Sequence, residues 1–600
     1  MNDLTGATAG VPRFTAAHFS LAAIGLMWTL PFLQPFHRFP LTSFYSEWLA
    51  LMLGLLALIL LARKSFWRAA QLPVVALPLL GFITVLGIQH ALGRVAYGGQ
   101  ALAAGLYVAW ALLLVILAGG LRREINLDGI TTVLAWFLAI GGALAALFAL
   151  LQHFQVSDFP HTLIAPKLSA RAYGNLAQPN HFASYSTLAL VSLAYLYAAG
   201  RMHWAAVTAG AAPLIFVIGL SGSRSALLFL AFLLVLALLY AWRRGAGGKR
   251  LAGCVVLFVA GFALAQWLAT MSGLETSGGT ETVSQRLIGR EGGSGAGGIA
   301  LRLQIASEAW GMFLQAPFLG VGWGQFPWHD FEYRALHGHT LSTWPFNHAH
   351  NIVLHLLAET GLAGTLLVAG AALVWMMGLR RATIDLPHWW LIALVGVIAI
   401  HSLLEHPLWF AYFLGITAVA VGLLSGSNLA MRLERAGPPL VTLLLVVGAL
   451  YSVSVLQNYR DFERLFATGA VQPGTGEFAL VASRAHREPL LKPYAELAIA
   501  TAMTLDRERL REKREINGRV MRFAPIASVV YRQAILLALE GDLESAQHQL
   551  VRASRVYPDE LPTAIKIMNE EVAKHPAELA PLIKLATVKL AERRAAQGGR

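Results

Sequence analysis

Stretches of about 20 mainly apolar residues, the length a helix needs to cross a bilayer, recur from the start of this chain to about residue 457, where the composition turns polar but keeps a helical period. Of its 600 residues 56% are hydrophobic and 13% charged, against roughly 25% charged in soluble domains. A bilayer is the solvent that tolerates such a surface. The pattern predicts an all-α polytopic membrane protein of about thirteen spans, at roughly 15–33, 44–62, 72–90, 98–119, 129–152, 180–199, 204–220, 223–241, 251–270, 349–378, 388–405, 409–425 and 438–456. It divides the chain into a transmembrane domain over 1–456, which includes a large loop at 271–348, and a helical domain over 457–600.

A net charge of +13 in a soluble chain would raise nucleic-acid binding. Here the basic residues gather in alternate short loops: Arg63, Lys64 and Arg68; Arg122 and Arg123; Arg201; Arg243, Arg244, Lys249 and Arg250; Arg380 and Arg381; Arg432 and Arg435. That is the positive-inside bias of a bacterial inner-membrane protein with a cytoplasmic N-terminus, and it sets the nucleic-acid reading aside. The other connections then face outward: 153–179, the turn at 221–223, the 271–348 loop with its glycine-rich Gly292 to Gly298, and the tail. Within the tail, Ser528 to Tyr557 reads as helix, Gly541-Asp542 turn, helix, which makes a tetratricopeptide-like periplasmic domain, serving as a stabilising cap or as a docking surface for a protein partner. Cys254 is the single cysteine, which excludes an intramolecular disulfide and a cysteine metal cage.

Ionisable groups at membrane depth cost about 2.5 to 3.5 kcal/mol on insertion scales and mark pathways or sites. On this topology Gln178, Asn180, His181, Arg224, His348, His350, Glu405 and His406 all fall at outward helix ends although they come from distant parts of the chain. In Phe346-Asn347-His348-Ala349-His350-Asn351, a histidine at a water-exposed helix start suits a general base. The alternative is a capping or headgroup role. His337, His339, His348 and His350 also invite a metal, but no cysteine or carboxylate accompanies them at metal spacing, so no metal is expected. In Ser221-Gly222-Ser223-Arg224-Ser225, an arginine among small residues at a helix N-terminus suits a diphosphate, with snorkelling to the headgroups as its competitor. Arg302 and Arg171 are further candidates for the same oxygens, and Arg286 and Arg290 lesser ones. Glu405 and Tyr412 share a helix face only if the helix runs on past Pro407. Trp409 reads as part of an interfacial aromatic belt.

These residues resemble a known superfamily. His350-Asn351 followed by Gly361-Leu362-Ala363-Gly364 resembles the histidine motif of bacterial O-antigen ligases, and Arg224 with Leu228 their arginine motif. Arg302 through Trp310 to Pro317-Phe318-Leu319-Gly320-Val321-Gly322-Trp323-Gly324 resembles the hallmark of the wider superfamily that includes O-antigen polymerases. Gln178-Pro179-Asn180-His181, Glu405-His406-Pro407-Leu408-Trp409 and the long tail are similar to the protein O-oligosaccharyltransferases that glycosylate pilins and other periplasmic proteins. One departure stands out: where that branch leads us to expect tyrosine after the glutamate, this chain has His406, which makes Tyr412 the nearer phenolic candidate.

The resemblance implies the fold of multi-span lipid-dependent glycosyltransferases (GT-C type), an undecaprenyl-diphosphate-linked oligosaccharide as donor, a periplasmic or pilin protein as acceptor, and no metal or other cofactor. On this reading Arg224, Arg302 and Arg171 hold the diphosphate, with His181, Asn180, Asn351 and His348 completing the substrate site. His350 removes the proton of a serine or threonine hydroxyl, which attacks the sugar C1 with inversion, while Gln178, Glu405 and Tyr412 assist it. Two alternatives stay open. One is an O-antigen ligase acting on lipid A-core, and the other a transporter or flippase of lipid-linked sugars, which would hold its substrate near the midplane at broken helices.

Overall fold

A computed structural model describes residues 15–68, 71–156, 160, 162–271, 295–338, 345–426, 428–466 and 474–598. Arg286, Arg290, His339 and part of the glycine-rich stretch lie outside the described residues. The chain is helical nearly throughout: α1 (Ala16–Met27), α2 (Phe44–Ala57), α3 (Lys64–Arg68), α4 (Ala76–Ala91), α5 (Gly98–Glu124), α6 (Leu127–His153), α7 (Pro179–Ala198), α8 (Trp204–Leu220), α9 (Ser225–Arg244), α10 (Ala246–Met271), α11 (Gly295–Gln315), α12 (Phe326–His337), α13 (Ile352–Arg380), α14 (Leu386–Ser402), α15 (Ala411–Leu423) and α16 (Gly437–Glu463). The tail adds α17 (Gly476–Arg487), α18 (Lys492–Ala502), α19 (Leu510–Phe523), α20 (Ala527–Glu540), α21 (Leu543–Val556), α22 (Leu561–Val572) and α23 (Pro576–Gly598). Among the described residues, sheet is confined to a two-stranded antiparallel ribbon, β1 (Gln71–Pro73) with β2 (Asn428–Ala430).

This is an all-α membrane protein. Among the described residues, seven helices are long and apolar enough to cross a bilayer: α2 with its 3-10 extension to Ala62, α5, α6, α9, α10, α13 and α16. Five more, α1, α4, α8, α14 and α15, are apolar but shorter. The remaining expected span, 180–199, is α7, which is buried at every residue from His181 to Leu196. A helix buried on all sides need not be amphipathic, and two of its hydroxyls bond within the helix: Thr187 Oγ1 donates to the Ala183 carbonyl and Ser192 Oγ to that of Leu188, while Trp390 Nε1 donates to Ser192 Oγ. α6, α8, α9, α10 and α14 pack around it.

The two ends of the bundle differ in chemistry. At one, the basic loops meet helix ends: Arg201 pairs with Asp128 at 3.1 Å, Arg122 donates to the Leu423 carbonyl and Arg244 to that of Ile384. At the other, hydrogen bonds join the starts of α7 and α13, the turn before α9 and the loop after α14.

That loop is locked to α13 through a break in the helix. Gly361 has φ +61 and non-helical backbone, which frees the groups around it. The Pro317–Gly324 segment takes them up: Val321 and Gly322 donate to the carbonyls of Ala358 and Glu359, while Leu362 and Ala363 donate to those of Pro317 and Phe318. The approach is close enough that only glycine fits. A Cβ on Gly320, at φ +67, would lie 2.2 Å from the backbone carbon of Glu359. Gly320→Ala is therefore expected to cost about 2 kcal/mol or more, read as a lowered Tm of the detergent-solubilised protein. Gly338→Ala, at φ +70 with open space around it, isolates the backbone cost and is expected to lose about 1 kcal/mol. Equal Tm values for the two variants would contradict the close approach.

In the tail, α20 and α21 form the expected hairpin. Gly541 at φ +94 ends the first helix, and the Asp542 carboxylate accepts from Ser545 N–H to start the second. The tail seats itself on the loop end of the bundle. Tyr97 donates to Glu496, which is also held bidentately by Arg519 at 3.0 and 2.9 Å, and Tyr45 donates to Glu463 at 2.9 Å. Phe331 and Ala335 of α12 are buried in the same apolar cluster as the tail helices.

Candidate functional site

The histidine segment leads into α13. Asn351 caps that helix, its Oδ1 accepting from the amides of Val353 and Leu354, and its Nδ2 donates to the Leu403 carbonyl. Just before the cap, His350 sits at φ +49, in left-handed backbone that non-glycine residues rarely adopt. Its Nδ1 lies 3.0 Å from Glu405 Oε2. An ionised carboxylate can only accept, so Nδ1 carries the hydrogen and Nε2 is left with its lone pair. His350 is 31% exposed and Glu405 8%, so the acid is sheltered and the imidazole reachable.

Glu405 stands on the loop after α14, and its other oxygen accepts from Asn180 Nδ2 at 2.8 Å. Burial raises the Glu405 pKa, but the hydrogen bond and positive charge offered by His350 outweigh it and hold the carboxyl below its ordinary value. Asn180 Oδ1 in turn accepts from Arg171 Nη2 at 3.2 Å, and Arg171 Nε donates to the Ser221 carbonyl at 2.7 Å. One polar chain thus joins four segments, running from the turn that carries Arg224 through Arg171, Asn180 and Glu405 to His350.

Arg224 is half-buried at the start of α9, and its guanidinium has no hydrogen-bond or ion-pair partner among the described residues. Arg302 is exposed on α11, and that helix packs Ile305 and Ala309 into one cluster with Ala349, the neighbour of His350. Gln178 caps α7, its Oε1 accepting from His181 N–H at 2.6 Å. His181 is buried edge-on to Phe410 and His401. His348 Nδ1 accepts from His350 N–H at 3.2 Å.

Two expectations change. α14 ends at Ser402, Pro407–Trp409 is a 3-10 turn and α15 starts at Ala411, so Glu405 and Tyr412 do not share a helix face. Tyr412 is buried among the rings of Phe32, Phe410 and Phe413. Trp409 stacks face to face on Trp323 of the large loop, centroids 5.5 Å apart and planes 4° from parallel, and meets His355 edge-on. It fastens the loop down instead of belonging to a lipid-facing belt.

A carboxylate that sequence spacing does not reveal joins the histidines. His348, His350, His406 and Glu405 each offer a ligand atom within 4.8 Å of the others, a donor set that suits a divalent ion. Without an ion the groups still have roles to fill: Glu405 Oε2 accepts from His350, and His348 packs against His406 with ring centroids 3.4 Å apart. Burial, with nearby positive charge, drives the His348 pKa far down and brings His406 to about 3 although Glu405 pulls it up. Both rings stay neutral at working pH.

Several buried polar groups escape a sequence reading. His355 pairs with Glu359 at 3.2 Å, and their i,i+4 spacing on one helix was the available signal. Glu47 was visible as an acid inside an apolar run. It accepts from Tyr107 and from the Ala411 amide and lines an apolar cavity of about 560 Å³ with Trp48, Tyr107, Trp409, Phe410 and Tyr494. Glu308, Asp330 and Arg334, all fully buried, lie in the loop and gave no signal.

Comparison with known proteins matches the segments that carry these residues. The O-antigen ligase family matches residues 209–369, which carry Arg224, Arg302 and His350, and the protein glycosylation ligase family matches 172–197, which carry Gln178 and Asn180. The C-terminal region of the virulence factor membrane-bound polymerases matches 389–569. The chain is therefore similar to the O-antigen ligases and protein glycosylation ligases over these stretches, and it is an enzyme, a glycosyltransferase. Among individual proteins it is similar to the general O-oligosaccharyltransferase of Acinetobacter baylyi (strain ATCC 33305 / BD413 / ADP1), 28% identical over 473 residues, 76% of this chain and 78% of that one. It is also similar to the ComP-specific O-oligosaccharyltransferase of the same strain, 25% identical over 397 residues, 65% and 68% of the two chains.

Proposed function

We propose that the chain transfers an oligosaccharide en bloc from an undecaprenyl-diphosphate carrier to serine or threonine hydroxyls of periplasmic or pilin proteins. The observation that carries this is the His350–Glu405 pair, with Nε2 open, joined by hydrogen bonds to the turn that holds Arg224, whose guanidinium has no partner among the described residues. Nε2 takes the hydroxyl proton as the oxygen attacks C1. Arg224 and Arg302 bind the diphosphate and stabilise the charge that grows on it as the C1–O bond breaks, and the product sugar is inverted. Asn180 and Arg171 align Glu405 with that centre, and Gln178 fixes the start of α7 beneath it. The apolar cavity beside Trp409 and Phe410 suits a lipid-borne donor. Relatives whose names include O-oligosaccharyltransferase favour a protein acceptor over lipid A-core.

In the membrane all thirteen helices cross, the N-terminus and basic loops face the cytoplasm of an inner membrane, and the site and the tetratricopeptide-like tail face the periplasm. The reaction needs no metal, because the Glu405 oxygen nearest the imidazoles is engaged in orienting the base.

Purified chain in vesicles, supplied with polyprenyl-diphosphate-linked glycan and a pilin, is expected to place the whole glycan on serine or threonine, read by mass spectrometry, at an unchanged rate in excess chelator. Transfer to lipid A-core but not to protein would establish the ligase alternative. Glycan translocation without transfer would establish a transporter, and loss of turnover on chelation would make the three histidines and Glu405 a metal centre.

A further inference from the structure

Resting on the reading of His350 as the base, we propose that Asp330 and the His355–Glu359 pair are positioning residues that hold the His350 loop at two points, and that the tail sets this hold through α12. A non-glycine residue in left-handed backbone is strained and persists only where its surroundings over-determine it. Three amides of the short loop are tied. Asp330 Oδ2 accepts from Phe346 N–H at 3.1 Å, His355 Nδ1 from Ala349 N–H at 3.3 Å, and His348 Nδ1 from His350 N–H at 3.2 Å.

The acceptors are themselves fixed. Glu359 takes the amides of Gly324 at 2.8 Å and Phe326 at 2.9 Å, at the N-terminus of α12, and its Oε2 lies 3.2 Å from His355 Nε2. That contact puts the hydrogen of His355 on Nε2 and leaves Nδ1 to accept from the loop. At the far point, Asp330 lies 3.3 Å from Arg334 and beside Glu308, all without exposure. Burial and the hydrogen bond with Glu308 push the Asp330 pKa up to about 9. Asp330 therefore keeps its proton beside Glu308, with the Arg334 guanidinium against the pair.

α12 bridges this cluster to the tail. Phe331 stacks on Tyr557 with planes 10° apart, Arg552 lies over Phe331 and pairs with Glu332, and Arg555 donates to the Ala335 carbonyl at 3.1 Å. A shift of α21 would carry Asp330, and with it the start of the histidine loop.

The test is transfer by the full chain in phospholipid vesicles with polyprenyl-diphosphate-linked glycan and a pilin acceptor. Because small misplacements of catalytic groups cost up to about 10²-fold, Asp330→Leu is expected to lower kcat about 10-fold or more with donor KM within about twofold. Asp330→Asn keeps an oxygen for the Phe346 amide and leaves Glu308 to balance Arg334, so it is expected to restore kcat to within about threefold of wild type. Arg552→Ala, which loosens α12 from the tail, should lower kcat in the same direction. Adding Asp330→Leu to His350→Ala should cost nothing further, since a misplaced base and an absent one are the same loss.

Wild-type kcat in a folded Asp330→Leu, equal losses in the leucine and asparagine variants, or a loss confined to KM would each overturn the inference. If Asp330→Leu yields no monodisperse protein, Arg552→Ala decides: a lowered Tm with unchanged kcat overturns the role of the tail. Full turnover in His350→Ala would bring down the base reading by itself, whatever Asp330 does.

Discussion

His350→Ala is expected to lower transfer about 10² to 10⁴-fold, the usual worth of a positioned general base, with donor KM little changed because Arg224 and Arg302 are untouched. The arrangement makes this specific. Nδ1 faces Glu405 at 3.0 Å, so the proton-accepting role falls on Nε2, and no other imidazole in the cluster is as open. His348 is 7% exposed and already accepts from the His350 amide. Alanine at φ +49 also carries a backbone cost, so His350→Asn is the paired variant: asparagine tolerates left-handed backbone but cannot take a proton at this pH. Both should be inactive, and the asparagine variant should keep more of the wild-type Tm. Wild-type initial rates in either variant would remove the base assignment.

Glu405→Gln is expected to cost about 10²-fold or more. In serine–histidine–aspartate sites, turning the orienting acid into an amide lowers kcat by about 10⁴ while leaving the geometry intact, because the imidazole takes the wrong tautomer. The same substitution here would let an amide N–H face Nδ1, which would move the hydrogen to Nε2 and close the lone pair that the hydroxyl needs. A pH signature separates this from a loss of packing. The folded Glu405 pKa is held below 4.5, so the group contributes stability that is fully present above 4.5 and lost as pH falls through the folded value. Glu405→Gln should therefore lower Tm in the neutral range, where that contribution is present, and converge with wild type in acid, which flattens the acid limb of a Tm-against-pH curve. An unaltered acid limb would mean that Glu405 makes no charge-assisted contact with His350.

Much of the site could be read from the sequence because its members are polar residues at the ends of apolar runs, and a bilayer leaves few reasons for them to be there. Arg171 with Asn180, Glu405 and His350 come from three distant segments, and they do meet in one hydrogen-bonded chain. What could not be read depends on register between segments. Whether α14 would continue past Pro407 decided the place of Tyr412, and only the chain geometry answers that. Trp409 has the composition of a belt residue, and its stack on Trp323 is a contact between parts of the chain that no periodicity connects. α7 was expected as a span from its length, yet its serines and threonines signalled a helix enclosed by others. Asp330, Arg334 and Glu308 look like ordinary surface charges in a polar loop, and burial alone gives them meaning.

The break at Gly361 makes the large loop and α13 a single unit of inheritance. Four backbone groups that an unbroken helix would satisfy by itself are taken up by the Pro317–Gly324 strip, with Gln89 Nε2 also donating to the Glu359 carbonyl, in a setting where a bilayer supplies no substitute. A chimera that exchanges the loop with a relative must bring the matching stretch from Glu359 to Ala363 along with it. Otherwise it strands those amides and carbonyls in the helix that follows the histidine segment.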